Sequence, residues 1–250
     1  MNQSNQQVNE PLLSTTAPLK NVALCTVALA QAMERPQHLP GLVAFYGPSG
    51  WGKTVSATYA NNKFRAYYVS VKESWTRQAL LKAILKEMGI QPERTNYEMV
   101  DQVSEQLALS GKPLIIDEFD NVVNRNMVEL IRDIYEGSNA AILMIGEEYL
   151  EKNLRKWERF HNRVLDWVPA QPTDMDDVRH LARLYCKGVT ITDDLLAHLV
   201  RINKGITRRI CVNLERFRRT AISEGLETMD LATWGDREIF TGEAPKRRNR

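Results

Sequence analysis

Cysteine and histidine are scarce in this chain, and neither is arranged for chemistry. Three cysteines, Cys25, Cys186 and Cys211, are scattered over 250 residues. Odd in number and far apart, they exclude a disulfide framework and a thiolate metal site, and they fit a reducing cytoplasm. The four histidines, His38, His161, His180 and His198, lack ligand spacing and read as surface or packing residues. Long apolar runs are missing too. None approaches the ~20 residues that span a bilayer, and no signal peptide leads the chain, so no membrane partner is expected. There is no internal repeat. Net charge is only +2, but it is unevenly spread: residues 201–250 hold twelve Lys/Arg against seven Asp/Glu (+5), and the other 200 hold 21 against 24 (−3).

The residues present are those of an ordinary soluble protein, 43% hydrophobic and 26% charged, with length for one large domain or one domain plus a small one. The most informative stretch is Gly47-Pro48-Ser49-Gly50-Trp51-Gly52-Lys53-Thr54, directly after the apolar run Leu42–Tyr46. Its G-x-x-x-x-G-K-[ST] spacing is that of a phosphate-binding loop. The glycines let consecutive N–H groups turn onto a triphosphate, Lys53 reaches the β- and γ-phosphates, and the Thr54 hydroxyl sits on Mg²⁺. A helix starting here points its positive end at the anion. About sixty residues on, Leu114-Ile-Ile-Asp117-Glu118 reads as a buried parallel strand delivering two carboxylates to the ligand-binding edge of a sheet. Asp117 is the expected Mg²⁺ ligand, and Glu118 the group that polarises the attacking water. ATP and Mg²⁺ are therefore the expected cofactors.

Residues 1–18 are rich in Asn, Gln and Ser and are expected to be flexible. Apolar spacing predicts a helix from Asn21 to Met33, and further helices over about 53–61, 75–88, 97–109 and 128–135. Strands are predicted at 42–46, 66–71, 114–117 and 140–145. From Asp174 the pattern is helical only, roughly 174–187, 193–201 and 208–225. The fold class is α/β, a mostly parallel sheet flanked by helices and followed by a small helical lid. The corresponding divisions are a core over 19–170, a lid over 171–228 and a basic tail over 229–250.

In this order, a phosphate loop, an Asp-Glu strand, a further strand, an arginine cluster and a helical lid resemble the AAA+ ATPases. Within them, Val71–Arg77 before a Leu-rich helix, Ile145-Gly-Glu147-Glu148 and Arg159–Val164 resemble the family of phage Mu transposition protein B and related transposon target-selection ATPases. The resemblance implies three further roles. Arg163, with Arg159 and Arg155 as substitutes, is the candidate finger reaching a neighbouring subunit's ATP. Arg208, in Gly205-Ile-Thr-Arg208, matches the lid arginine that contacts the γ-phosphate. Glu147 falls where the family usually carries Asn, Ser or Thr, so it could orient water or couple the site to DNA.

Two basic features are available for duplex DNA. One is the helix carrying Arg208, Arg209, Arg216 and Arg219 opposite an apolar stripe, with the tail Lys246–Arg250 beyond it. The resemblance implies a second surface, near the second strand and its helix, where Lys72, Trp75, Thr76 and Arg77 are available. The resemblance implies an ATPase in a bacterial host cytoplasm that assembles with itself into rings or filaments on DNA, without sequence preference, and presents target DNA to a transposase. The alternatives are a helicase loader or replication initiator, a P-loop kinase, and an ATP-binding scaffold that barely turns over. Under the assembly reading Lys53→Ala loses ATP-dependent assembly while Glu118→Gln traps it; light scattering with ATP and DNA is the measurement, and normal turnover by Glu118→Gln would refute the assignment of the base.

Overall fold

The structure, a computed structural model, describes residues 17–243. Helix α1 (Lys20–Glu34) leads to strand β1 (Leu42–Tyr46), the phosphate loop and helix α2 (Lys53–Phe64). Strand β2 (Tyr67–Ser70), helices α3 (Arg77–Met88) and α4 (Asn96–Ser110) and strand β3 (Leu114–Asp117) follow. Helices α5 (Phe119–Asn124) and α6 (Val128–Ser138), strand β4 (Ile142–Gly146), helices α7 (Leu150–Leu154) and α8 (Glu158–His161) and strand β5 (Val164–Pro169) complete the core. The lid contains α9 (Met175–Tyr185), β6 (Thr190–Ile191), α10 (Asp193–Asn203), α11 (Thr207–Ser223), β7 (Thr228–Met229) and α12 (Leu231–Trp234).

The five core strands form one parallel sheet in the order β2-β3-β4-β1-β5. Both faces are covered, which is why the strands read as unbroken apolar runs rather than alternating ones. Leu42, Ala44, Leu114, Ile116, Ile142 and Met144 turn to the side packed by α3 to α8. Val43, Phe45, Ile115, Leu143 and Ile145 turn to α1 and α2. With no polar residue tolerated along these faces, the polar groups at the strand ends fall together at the sheet's carboxyl edge. Cys25, on the buried face of α1, packs against the sheet, and burial pushes its thiol up to about 12, so it is inert packing.

Four expectations need correction. Val164–Pro169, absent from the predicted strands, is a fifth strand on the outer side of β1. The lid is not purely helical, because β6 and β7 pair in parallel through Thr190↔Thr228 and Ile191↔Met229. Trp75 and Thr76 stand before α3 rather than within it; Thr76 caps the helix by accepting the Ala79 N–H. Met229, Trp234 and Ile239, anticipated in a tail, are buried in the lid core, with Trp234 edge-on to Phe217 at 4.5 Å. Two-residue strands and a packed tail carry too little periodicity to be read from sequence. Residues 1–16 and Lys246–Arg250 lie outside the described residues. Among the described residues no helix is long and apolar enough to cross a membrane.

The hinge between core and lid runs through Gln171–Asp174. The Thr173 N–H donates to the Gly205 carbonyl at 2.9 Å. Gly205 has φ +68°, and a Cβ there would lie 2.6 Å from Pro172 Cβ and 3.0 Å from Thr173 O. Gly205→Ala is accordingly expected to cost about 1–3 kcal/mol through strain and backbone clash, read as a lower melting temperature; an unchanged one would mean the hinge is not fitted to this glycine.

Candidate nucleotide site

The strand order sets the site. The phosphate loop leaves the end of β1, its neighbour β4 ends at Gly146, and β3, beyond β4, ends at Asp117. The Gly47 N–H donates to the Gly146 carbonyl at 3.3 Å, stitching loop and strand end together. A cleft of about 380 Å³ opens there between the sheet and the lid. Ser49, Gly50, Gly52, Lys53, Thr54, Asp117, Glu118, Glu147 and Arg208 all line it. Gly47, Pro48 and Trp51 complete the loop behind this lining.

Gly52 adopts φ +80° as the N-cap of α2, a left-handed turn that aims successive N–H groups inward. Lys53 is folded onto its own loop, its Nζ donating to the carbonyls of Gly47 at 2.6 Å and Pro48 at 2.9 Å. Burial lowers the Lys53 pKa, opposed by Glu147 first and then by Glu118, Asp117 and Asp120. Asp117 is 2% exposed. Its Oδ2 accepts the Tyr68 hydroxyl at 2.7 Å and its Oδ1 accepts the Glu118 N–H at 2.8 Å. Burial, and donation to Asp117, raise the Tyr68 hydroxyl pKa. Glu118 sits at φ +56°, a left-handed conformation that turns its side chain off the strand and into the cleft. Partial burial raises its pKa, with the charges of Asp117, Glu147 and Asp120 adding to the effect.

Glu147 is held by an acid the sequence reading did not single out. Its N–H donates to Asp120 Oδ2 at 2.7 Å, which binds the end of β4 to the start of α5. Gly146 makes room for this contact: a Cβ there would stand 2.6 Å from Leu150 Cδ2 and 2.9 Å from Asp120 Oδ2. The signal for Asp120 was its place as a third acid in Asp117-Glu118-Phe119-Asp120. Tyr68 carried no such signal, since only the pairing of β2 beside β3 brings it to Asp117.

On the lid side, the Arg208 N–H donates to the Gly50 carbonyl at 3.0 Å, and Thr207 shares a hydrogen bond with Thr173 at 2.7 Å. The cleft continues past Tyr185, Cys211 and Val212, none of which sequence reasoning marked. Arg163 lies elsewhere. Its carbonyl accepts the Leu42 N–H where β1 begins, so it stands a strand's length, roughly 15 Å, from the phosphate loop of its own chain. Its guanidinium pairs with Glu136 at 3.2 Å. Arg155 pairs with Glu151, and Arg159 is exposed.

The candidate DNA residues separate into two groups. Lys72, Thr76 and Arg77 are exposed beside a half-buried Trp75 that packs on the core. Arg77 donates to the Asn126 carbonyl at 3.1 Å, and Arg125 to the Glu73 carbonyl, so two loops form one basic surface. On α11, Arg219 pairs with Glu215 at 2.8 Å, Arg216 lies 5.1 Å from the Phe240 ring centroid, and Arg209 packs against Gly242. A larger groove of about 780 Å³ between α1, α2 and α9 contains no carboxylate and is remote from these groups, so chemistry is assigned to the smaller cleft.

The cleft residues fit a magnesium nucleotide. Asp117, Glu118, Asp120 and Glu147 outnumber Lys53 and Arg208, a surplus that would disfavour a bare triphosphate and accept one carrying a divalent cation. Among the described residues no three His, Cys, Asp or Glu side chains form a metal cage. Magnesium suits such a place, since it binds through one or two protein oxygens together with phosphate oxygens; Thr54 and Asp117 are the available ligands.

A family model described as an AAA domain matches residues 37–154, a little under half of the chain. No curated protein matches the sequence. The Aeropyrum pernix ORC2 protein in its ADP form superimposes with a TM-score of 0.64 at 14% identity, over 84% of this chain and 64% of that one. Cdc6p from Pyrobaculum aerophilum gives 0.60 at 16%, over 90% and 66%. The Aeropyrum pernix ORC1 protein in complex with DNA gives 0.60 at 18%, over 84% and 61%. The chain spans less than two thirds of the length of these three structures. The fold is therefore the AAA+ P-loop fold, a nucleotide-binding architecture. At such identities the likeness to these proteins is one of fold.

Because both Asp120 and Glu118 hold raised pKa values in the folded chain, the native state binds more protons than the unfolded one just above the ordinary carboxylate range. Stability then falls as pH rises through that window. Asp120→Asn, which keeps an acceptor for the Glu147 N–H, is expected to raise the melting temperature near neutrality without nucleotide. The gain should shrink as pH falls through about 4 and vanish near about pH 3, where Asp is protonated in both states; a gain that persists in acid would contradict this cause.

Proposed function

We propose that this chain is an ATP-hydrolysing switch that assembles with copies of itself on duplex DNA. The observation that carries it is a separation within one chain. Lys53, Asp117 and Glu118 converge on the cleft, whereas Arg163 stands at the opposite edge of the sheet. An arginine so placed cannot serve its own site and is presented to a neighbour, so nucleotide contact and subunit contact become linked. Thr54 and Asp117 would hold Mg²⁺, which supplies charge neutralisation on the phosphates when bound. Glu118 takes a proton from the water that attacks the γ-phosphorus, Glu147 orients beside it, and Arg208 registers the nucleotide from the lid. Burial of Lys53 and of the acids strengthens each of these interactions.

DNA binding is proposed for the surface of Lys72, Arg77 and Arg125. A physical link supports coupling to the nucleotide. Asn121, three residues after Glu118, donates to the Val71 carbonyl at 2.8 Å at the root of that loop. A shift of Glu118 is thereby passed to Lys72 and Trp75. Contacts of this type neutralise phosphates and carry no base reading.

Of the finer readings, the replication initiator or loader is favoured by the ORC and Cdc6 neighbours, one in complex with DNA and another, Drosophila ORC bound to DNA, superimposing with a TM-score of 0.53 at 16% identity over 92% of this chain and 67% of that one. The target-selection reading, with a transposase partner, rests on the sequence resemblance at Val71–Arg77, Ile145–Glu148 and Arg159–Val164. Loading of a ring helicase onto DNA is the readout for the first, and stimulated strand transfer into ATP-coated DNA for the second.

Mixing separates a neighbour's arginine from a chain's own. Arg163→Ala should lower turnover by ~100-fold or more, and Glu118→Gln should be inactive. Their mixture should regain activity, because intact fingers of one protein meet intact cleavage sites of the other. A mixture as dead as its parts, or a wild-type rate independent of concentration, would overturn the assembly reading in favour of a kinase or a self-sufficient NTPase.

A further inference from the structure

Asn21, the second residue of α1, is 6% exposed although polar. Its side chain grips two parts of the molecule distant in sequence. The Nδ2 donates to the Trp51 carbonyl and to the Gln171 carbonyl, both at 2.8 Å, while Oδ1 accepts the Gln171 N–H, also at 2.8 Å. Trp51 belongs to the phosphate loop, and Gln171 is where the chain leaves the sheet for the lid. The arrangement demands an amide. Two carbonyls face one end of the side chain and an N–H faces the other, so aspartate, its isostere, would set a charged oxygen against two carbonyls.

The bond to Trp51 has a directional consequence. In a trans peptide the C=O and the following N–H point in opposite senses. Holding the Trp51 carbonyl toward Asn21 turns the Gly52 N–H away from it, toward the cleft that Gly52 lines. The residue before Asn21 grips the lid itself, since the Lys20 N–H donates to Asp177 Oδ1 of α9 at 2.8 Å. From the lid the Arg208 N–H returns to the Gly50 carbonyl of the same loop. Two consecutive residues of α1 therefore touch loop, hinge and lid.

We propose that Asn21 is a positioning residue for phosphate binding, which fixes the Trp51–Gly52 peptide for the anion and ties its orientation to the hinge at Gln171. The inference rests on the nucleotide reading of the cleft. Loss of the Trp51 contact weakens a donor used by ground and transition states alike, so it raises KM for ATP with little change in kcat.

The test uses the full chain with Mg-ATP and compares Asn21→Asp and Asn21→Ser, the second small and neutral so that the buried position stays foldable. Steady-state KM is read together with the melting temperature without nucleotide, because KM belongs to the folded fraction whatever its amount. KM should rise roughly tenfold or more in Asn21→Asp, less in Asn21→Ser, with kcat within about threefold. Gln171→Ala should leave KM unchanged, since Asn21 uses the backbone of that residue. A lowered melting temperature with wild-type KM in whichever variant folds would reduce Asn21 to a structural pin and overturn the proposal. Wild-type protein that neither binds nor hydrolyses nucleotide would instead overturn the nucleotide reading of the cleft.

Discussion

A parallel sheet buried on both faces has no place for a charge except at the ends of its strands. That constraint organises this molecule. Along β1, β3 and β4 every side chain must be apolar, on one side to meet α1 and α2 and on the other to meet α3 through α8. The polar groups that the chain does carry are pushed to the carboxyl edge, where Asp117, the Gly146–Glu147 turn and the phosphate loop arrive side by side. The direction of the strands matters as much as their burial. Parallel strands bring all of their carboxyl ends to one edge, while Arg163, preceding β5, is left at the other.

The edge so created is electrostatically unbalanced. Several carboxylates surround one ammonium group, and partial burial makes their mutual repulsion costly. Hydrogen bonds relieve part of it, through Tyr68 on Asp117 and the Glu147 N–H on Asp120. The same bonds fix orientation. Glu118 is held in a left-handed turn by the helix that follows it, a backbone state tolerated because Phe119 and Val122 anchor that helix in the core.

Two side-chain amides, one buried and one half-buried, tie together elements distant in sequence. Asn121 joins the helix behind Glu118 to the loop of Lys72 and Trp75, and Asn21 joins the phosphate loop to the hinge. Such links are short, directional and costly to leave unmade, which suits them to transmit a small displacement.

The local pattern of residues was enough to specify the phosphate loop, the Asp117-Glu118 strand end, the α/β class and the helical character of the lid. These depend on spacing between neighbours in the chain, and on apolar runs whose burial follows from composition. Spacing could not reveal Tyr68, Asp120 or Asn21, because each acquires its partner from another strand or helix, 27 to 150 residues away. Nor could it show that Gly146 is glycine to admit a carboxylate, or that Met229, Trp234 and Ile239 belong to the lid core. Sequence by itself determined the phosphate-loop motif and the apolar runs of the sheet, since each needs only a dozen or fewer contiguous residues. Tertiary structure alone decided which groups meet and which are kept apart, because hydrogen bonds and charges act over a few ångströms of space, irrespective of distance along the chain.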